Sequence, residues 1–234
     1  MAIGGRVKGS LEVLSQIGVV VAAGTLVWAV FFAAGVNPPP PPPAEQIAAV
    51  SDLRLDAAQV TKTYGDGPVA IVEFSDYQCP YCRRHARSLL PKLQREMADR
   101  GTARYVSLHH PIEEIHPHAR RAGEAAECAA MQGRFWDMHT TLFESSSLAD
   151  PDLLRHAESL TLDMTTFVDC LEGGKALDRV RADLAEGQRL DVRGTPTFFI
   201  GTVLADGSIE LMTRIRGLVP FEVFEREVQK AKSK

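Results

Sequence analysis

Hydrophobic and polar positions change rhythm several times along the chain, and each change predicts a different kind of element. Residues 17–36, IGVVVAAGTLVWAVFFAAGV, carry no charge. At about 1.5 Å per residue they make roughly 30 Å of helix, the thickness of a bilayer core. The expectation is a transmembrane anchor, with residues 1–16 as a cytoplasmic N-terminus. Arg6 and Lys8 precede the segment and no Lys or Arg follows until Arg54, so the positive-inside rule places the remainder outside the cytoplasm. A cleaved signal peptide competes, since Ala33 and Gly35 form a small-x-small pattern, although the apolar run exceeds the usual ~7 to 15 residues. A buried core helix fits less well, because the run is apolar on every side and leads into prolines. The six prolines Pro38 to Pro43 form an extended spacer of roughly 19 Å at about 3.1 Å per residue; a proline-rich ligand for another module is the alternative. Residues 37–67 are thus a linker and lead-in, with a short helix expected at 44–50.

The pattern then becomes that of a folded domain. Residues 68–77, PVAIVEFSDY, are a buried-strand pattern dense in Val and Ile. From Pro80 the spacing of Leu89, Leu90, Leu93 and Met97 predicts a helix, kinked at Pro91 and ending near Gly101. Residues 102–111, TARYVSLHHP, read as a second strand, completing a βαβ unit with a right-handed crossover. Residues 112–187 switch to helical spacing: a helix from Pro117 to Gly133, RFWDMHTTLFES, DPDLLRHAESL with Asp150 as N-cap, MTTFVDCLEGG, and KALDRVRADLAEGQRL. Residues 188–234 return to strands, TPTFFIGTVL and SIELMTRIRG around an Asp206-Gly207 turn, and close with a helix in PFEVFEREVQKAK. The expected class is α/β, residues 68–111 and 188–234 forming one domain interrupted by a helical insertion at 112–187.

Composition adds little beyond limits. With 45% hydrophobic and 24% charged residues the chain is in the range of one sizeable domain with appendages. A net charge of −4 gives no reason to expect a nucleic-acid partner.

The chemistry concentrates at CPYC. Cys79 falls where the buried strand hands over to a helix, and a helix N-terminus lowers a thiol pKa through its free N–H groups and dipole. Cys82 lies one turn in, close enough to form a disulfide and more buried, so Cys79 is the attacking residue and Cys82 the resolving one. Pro80 suits the first turn, and Arg83, Arg84 and His85 add positive charge. Zinc would need a second pair of ligands, which Cys128 and Cys170 do not supply by spacing; a static disulfide here would staple no long loop. Glu73 stands inside the apolar strand, six residues before Cys79. Buried there, it would hold a raised pKa and accept the Cys82 proton; the alternative is a strand-end side chain in solvent.

VEFSDYQCPYC, the helical insertion and GTPTFFIG at 194–201 together resemble the DsbA-like thiol-disulfide oxidoreductases, a branch of the thioredoxin superfamily, over residues 68–234. The resemblance implies a thioredoxin-like fold interrupted by helices, with Glu73, Cys79 and Cys82 on family positions. Thr195 and Pro196 match the family's cis-proline loop against the cysteines, and Pro80, Tyr81 and Thr195 would meet an extended substrate. Pro80-Tyr81 departs from the Pro-His of the best-known oxidases, which leaves the redox direction open. In an exported domain the two cysteines left over, Cys128 and Cys170, pair with each other in a structural disulfide, as in several exported relatives; free buried thiols are the alternative.

His109, His110, His116 and His118 do not share the spacing of a metal site and are assigned to loop and cap roles, and His139 and His156 to helix surfaces. The function expected is a membrane-tethered oxidoreductase acting on exported cysteine-containing proteins, served by a membrane redox partner and needing no cofactor or metal. A disulfide reductase or isomerase kept reduced by a membrane carrier is the enzymatic alternative. A copper-delivery module, with His85 as the third ligand beside Cys79 and Cys82, is the non-catalytic one.

Overall fold

The computed structural model describes residues 46–233. The expected anchor at 17–36 and the proline spacer lie outside the described residues. In chain order the elements are β1 (Ile47–Leu55), β2 (Thr63–Tyr64), β3 (Val69–Ser75), α1 (Pro80–Ser88), α2 (Leu90–Leu93), β4 (Ala103–His109), α3 (Ala119–Ala130), α4 (Phe135–Glu144), α5 (Asp150–Ser159), α6 (Met164–Glu172), α7 (Lys175–Arg189), β5 (Thr197–Val203), β6 (Ile209–Arg216) and α8 (Phe221–Lys232).

The strands form one sheet in the order β1-β6-β5-β3-β4-β2. Only β3 and β4 pair in parallel, joined through α1 and α2; the other pairs are antiparallel. Strand β3 is central, and all seven of its residues are buried. This is why its sequence shows no alternation: both faces are covered. Period two still separates them. Val69 and Ile71 pack with Leu90, Leu93, Tyr105, Phe198 and Phe224 on the side of α1, α2 and α8. Ala70, Val72 and Phe74 pack with Leu108, Leu190, Val192 and Phe199 on the other. Odd-numbered Glu73 and Ser75 therefore face α1.

Three expectations change and a fourth holds. The described part of the helix expected at 44–50 is strand instead: β1 begins at Ile47 and runs antiparallel along β6, Ile47 opposite Ile215 and Leu55 opposite Ile209. Its alternation is irregular, with a register shift between Ala49 and Leu53, which hides the strand from a periodicity argument. Asp150 is the first residue of α5 rather than its cap, a position held by Ala149. His139 is buried rather than on a helix surface, and so is His109, because the insertion folds back over the strand ends. Pro91 does break the first helix: α1 stops at Ser88, α2 starts at Leu90, and a π-helical turn spans Gln94–Ala98.

The insertion is keyed to the sheet by buried charge. Lys62 Nζ lies 2.8 Å from both Glu127 on α3 and Asp183 on α7. Asp183 also accepts from the His109 backbone N–H at 2.9 Å, and His109 Nε2 meets Glu127 Oε1 at 3.0 Å. Burial opposes ionisation of Glu127, but His109 and Lys62 hold its pKa down at about 2. Gly187 lets α7 approach, since a Cβ there would sit 2.4 Å from His110 Nδ1.

Candidate active site

Cys79 is the N-cap of α1 and Pro80 its first residue. The turn that presents Cys79 is built on Asp76, whose carboxylate is almost fully buried. Asp76 Oδ1 accepts from the backbone N–H of Gln78 at 2.7 Å and of Cys79 at 3.1 Å. Its Oδ2 accepts from Ile112 N–H and meets His116 Nδ1, both at 2.8 Å. Asp76 thus ties the loop before Cys79 to the loop after β4. An Asp three residues before a helix-opening cysteine is an Asx-turn signal, and it could have been read from the sequence.

Cys79 and Cys82 are both unbridged and buried. The Cys79 thiol lies 3.3 Å from the Thr195 carbonyl oxygen, to which it donates, and the Thr195-Pro196 peptide is cis. The chain thus brings the loop before β5 across the mouth of α1, placing Thr195 and Pro196 beside Cys79. Tyr81 is 58% exposed on the same rim. The Cys79 pKa falls to about 5: the Cys82 thiol hydrogen-bonds to it, the Thr195 side chain and the backbone N–H groups of Cys82 and Tyr81 add to this, and burial opposes the fall. Burial and the Cys79 and Glu73 charges push the Cys82 thiol well up. At neutral pH the pair is one thiolate outside and one thiol inside.

Behind Cys82 lies Glu73, 1% exposed. Its pKa rises to about 7, driven by burial against the pull of hydrogen bonds from Tyr105 and Ser75. Ser75 Oγ donates to Glu73 Oε1 at 3.0 Å, and the same hydroxyl pulls slightly against the rise of the Cys82 pKa. Tyr105 Oη donates to Glu73 Oε2 at 2.6 Å and is 2.8 Å from His85 Nε2. Ser75 and Tyr105 carry no motif and were not among the sequence candidates. Face periodicity could have found them: Tyr105 pairs with Ile71 in β4, and Ser75 is two residues from Glu73.

His85 corrects two expectations. Burial lowers its pKa to about 3, so it adds no positive charge at neutral pH. It engages Tyr105 and packs 4.7 Å from the Phe198 ring, and Cys79, Cys82 and His85 do not form a three-ligand group. Among the described residues such a group exists only at His109, Glu127 and Asp183, where Lys62 Nζ already bridges the two carboxylates. His139 Nδ1 lies 3.1 Å from Tyr77 Oη, under the loop that carries Cys79. His116 serves that loop through Asp76, His118 is the N-cap residue of α3, and His156 is half-buried against Ser145. Cys128 and Cys170 are joined in a disulfide between α3 and α6.

A thioredoxin family model matches residues 61–214, a stretch that takes in the whole constellation from Lys62 to the Thr195–Pro196 turn. The chain belongs to the thioredoxin family. Its thioredoxin-like fold, with helices inserted, is that of the DsbA-like oxidoreductases. It superimposes on oxidised BdbD from Bacillus subtilis with a TM-score of 0.64, at 23% identity over 80% of this chain and 99% of that one. For alpha-DsbA1 of Wolbachia pipientis the values are 0.62, 23%, 74% and 90%. For a thioredoxin-like oxidoreductase from Silicibacter pomeroyi DSS-3 they are 0.62, 26%, 76% and 99%. By sequence the chain is 40% identical over 136 residues to a protein named Na(+)/H(+) antiporter NhaA 3 of Salinispora tropica, covering 58% of this chain. It is 37% identical over 147 residues to NhaA 1 of Salinispora arenicola, covering 62%. The matched stretch spans about a fifth of the length of these curated relatives.

Proposed function

We propose that the chain is a thiol-disulfide oxidoreductase, tethered through residues 17–36 and facing the outside of the cytoplasmic membrane, that introduces disulfides into exported cysteine-containing proteins. The observation that carries the reading is the asymmetry of the CPYC pair: Cys79 at the N-terminus of α1 beside the Thr195–Pro196 turn, held as thiolate, and Cys82 buried one turn in, held as thiol with Glu73 behind it. In the oxidised enzyme a substrate thiolate attacks Cys79 Sγ. The Cys79–Cys82 bond breaks, and Cys82 leaves with the electron pair and takes up a proton that Glu73 supplies. A second substrate thiolate then attacks the substrate sulfur of the mixed disulfide and releases Cys79 as a thiolate. The substrate has lost two electrons and two protons, and a membrane redox partner must remove those electrons from the enzyme.

The depressed Cys79 pKa supports the oxidising direction. Stabilising the thiolate stabilises the reduced enzyme, which makes its disulfide a stronger oxidant. The Cys128–Cys170 disulfide agrees with life in an oxidising compartment. The test is the midpoint potential of the Cys79–Cys82 couple in graded glutathione buffers. A value well above the −270 mV of thioredoxin, toward about −120 mV, is expected; a value at the thioredoxin end assigns the protein to the reductases.

A further inference from the structure

Beside the Thr195–Pro196 turn lies a groove of about 610 Å³, lined among others by Tyr81 and Arg84 of α1, Arg193 before the turn, and Arg216 at the end of β6. Its charge is opposite to that of the chain, which carries −4 overall. One carboxylate, Asp191, answers three guanidiniums here, at 2.7 Å from Arg193, 3.3 Å from Arg216 and 3.5 Å from Arg214. Arg84 makes no salt bridge with any described residue. The Arg193 side chain is 79% exposed and that of Arg216 42%, so their heads are open to a ligand. The three lining arginines come from separate segments around the turn, rather than from one point that a single small anion would fill.

We propose that this groove selects acidic segments: the substrate polypeptide carries Asp or Glu close to the cysteine that reacts with Cys79, and Arg84, Arg193 and Arg216 receive those carboxylates. The proposal rests on the thiol-exchange reading above and names its substrate class. A positive surface beside the reacting sulfur raises the local concentration of an anionic partner and speeds its encounter, and added salt weakens the effect. Basic segments are repelled by the same residues, so the groove discriminates in both directions.

The test uses the oxidised full chain in mild detergent and three reduced peptides, identical except that the residues flanking the cysteine are Glu, Gln or Lys. Each second-order rate constant is divided by that peptide's rate with dithiodipyridine, which removes the influence of the flanks on the peptide thiol itself. At about 20 mM salt the Glu peptide should outrun the Lys peptide by about tenfold, with Gln between them, and the ratio should fall to about twofold by 300 mM. In the double variant Arg193→Gln, Arg216→Gln the low-salt ratio should fall toward one. Equal rates for the Glu and Lys peptides at low salt overturn the proposal while leaving the exchange reading in place. A ratio that survives both substitutions overturns it too, by placing the selectivity elsewhere. So does a variant that changes the rate with glutathione alone, which makes the groove a glutathione site. If no peptide of any charge reacts, the exchange reading falls and the proposal falls with it.

Discussion

Replacing Glu73 by Gln tests whether the carboxyl behind Cys82 is held neutral by burial. Its pKa of about 7, against an ordinary 4.5, arises first from burial. Between these values the folded protein keeps a proton that the unfolded chain has released. The unfolded state therefore binds fewer protons, and stability falls as pH rises. At about 1.4 kcal/mol for each tenfold change, the loss accumulates to about 3 kcal/mol once pH has passed 7. Glu73→Gln has the shape of the protonated acid and does not titrate. It should match the wild type within about 1 kcal/mol near pH 4 and exceed it by about 3 kcal/mol at pH 8. The assay is urea unfolding of the oxidised protein at intervals from pH 4 to pH 9. In that form neither redox cysteine titrates while burial, the main cause, remains, and the difference between the two proteins cancels every other group. A difference that stays flat across this range refutes the buried-acid reasoning. The same variant should slow mixed-disulfide resolution by Cys82, because the proton acceptor is gone.

Three further outcomes follow from the site and its supports. Cys82→Ala removes the hydrogen bond that does most to lower the Cys79 pKa, so the midpoint for Cys79 alkylation, expected near pH 5 in the wild type, should climb by at least about one pH unit; an unchanged midpoint would credit the helix end instead. Lys62→Met leaves Glu127 and Asp183 as buried carboxylates without their shared cation, and about 3 to 5 kcal/mol of stability should be lost in urea titrations at pH 7; a loss below about 1 kcal/mol would mean the pair finds another partner. Replacing Cys128 and Cys170 together by Ala opens a bridge with a sequence separation of 42, for which chain entropy predicts a loss of about 4 kcal/mol. Disulfide exchange at 25 °C should persist in that variant, and its disappearance in folded protein would tie the bridge to the reaction itself.

Those parts of the protein that are written in local pattern are legible in the amino-acid order. A run dense in Val and Ile marked the central strand β3, CPYC at its handover to a helix marked the reacting cysteines, and the change to a helical period marked the insertion. Glu73 was legible because a carboxyl inside such a run violates the pattern around it, and that violation is a property of neighbouring residues. The partners of these residues are not legible there, because they come from packing between distant segments. Tyr105 reaches Glu73 from 32 positions away, Lys62 meets Asp183 across 121, and β1 finds its place only through β6. His85 and His139 show the same limit, since each carries polar atoms on a helix and reads as a surface residue until another element covers it. Side-chain periodicity records which face is buried, but not what will cover it. A histidine's charge, a carboxyl's proton and a lysine's counter-ion all depend on that covering surface, which exists only once distant segments have packed.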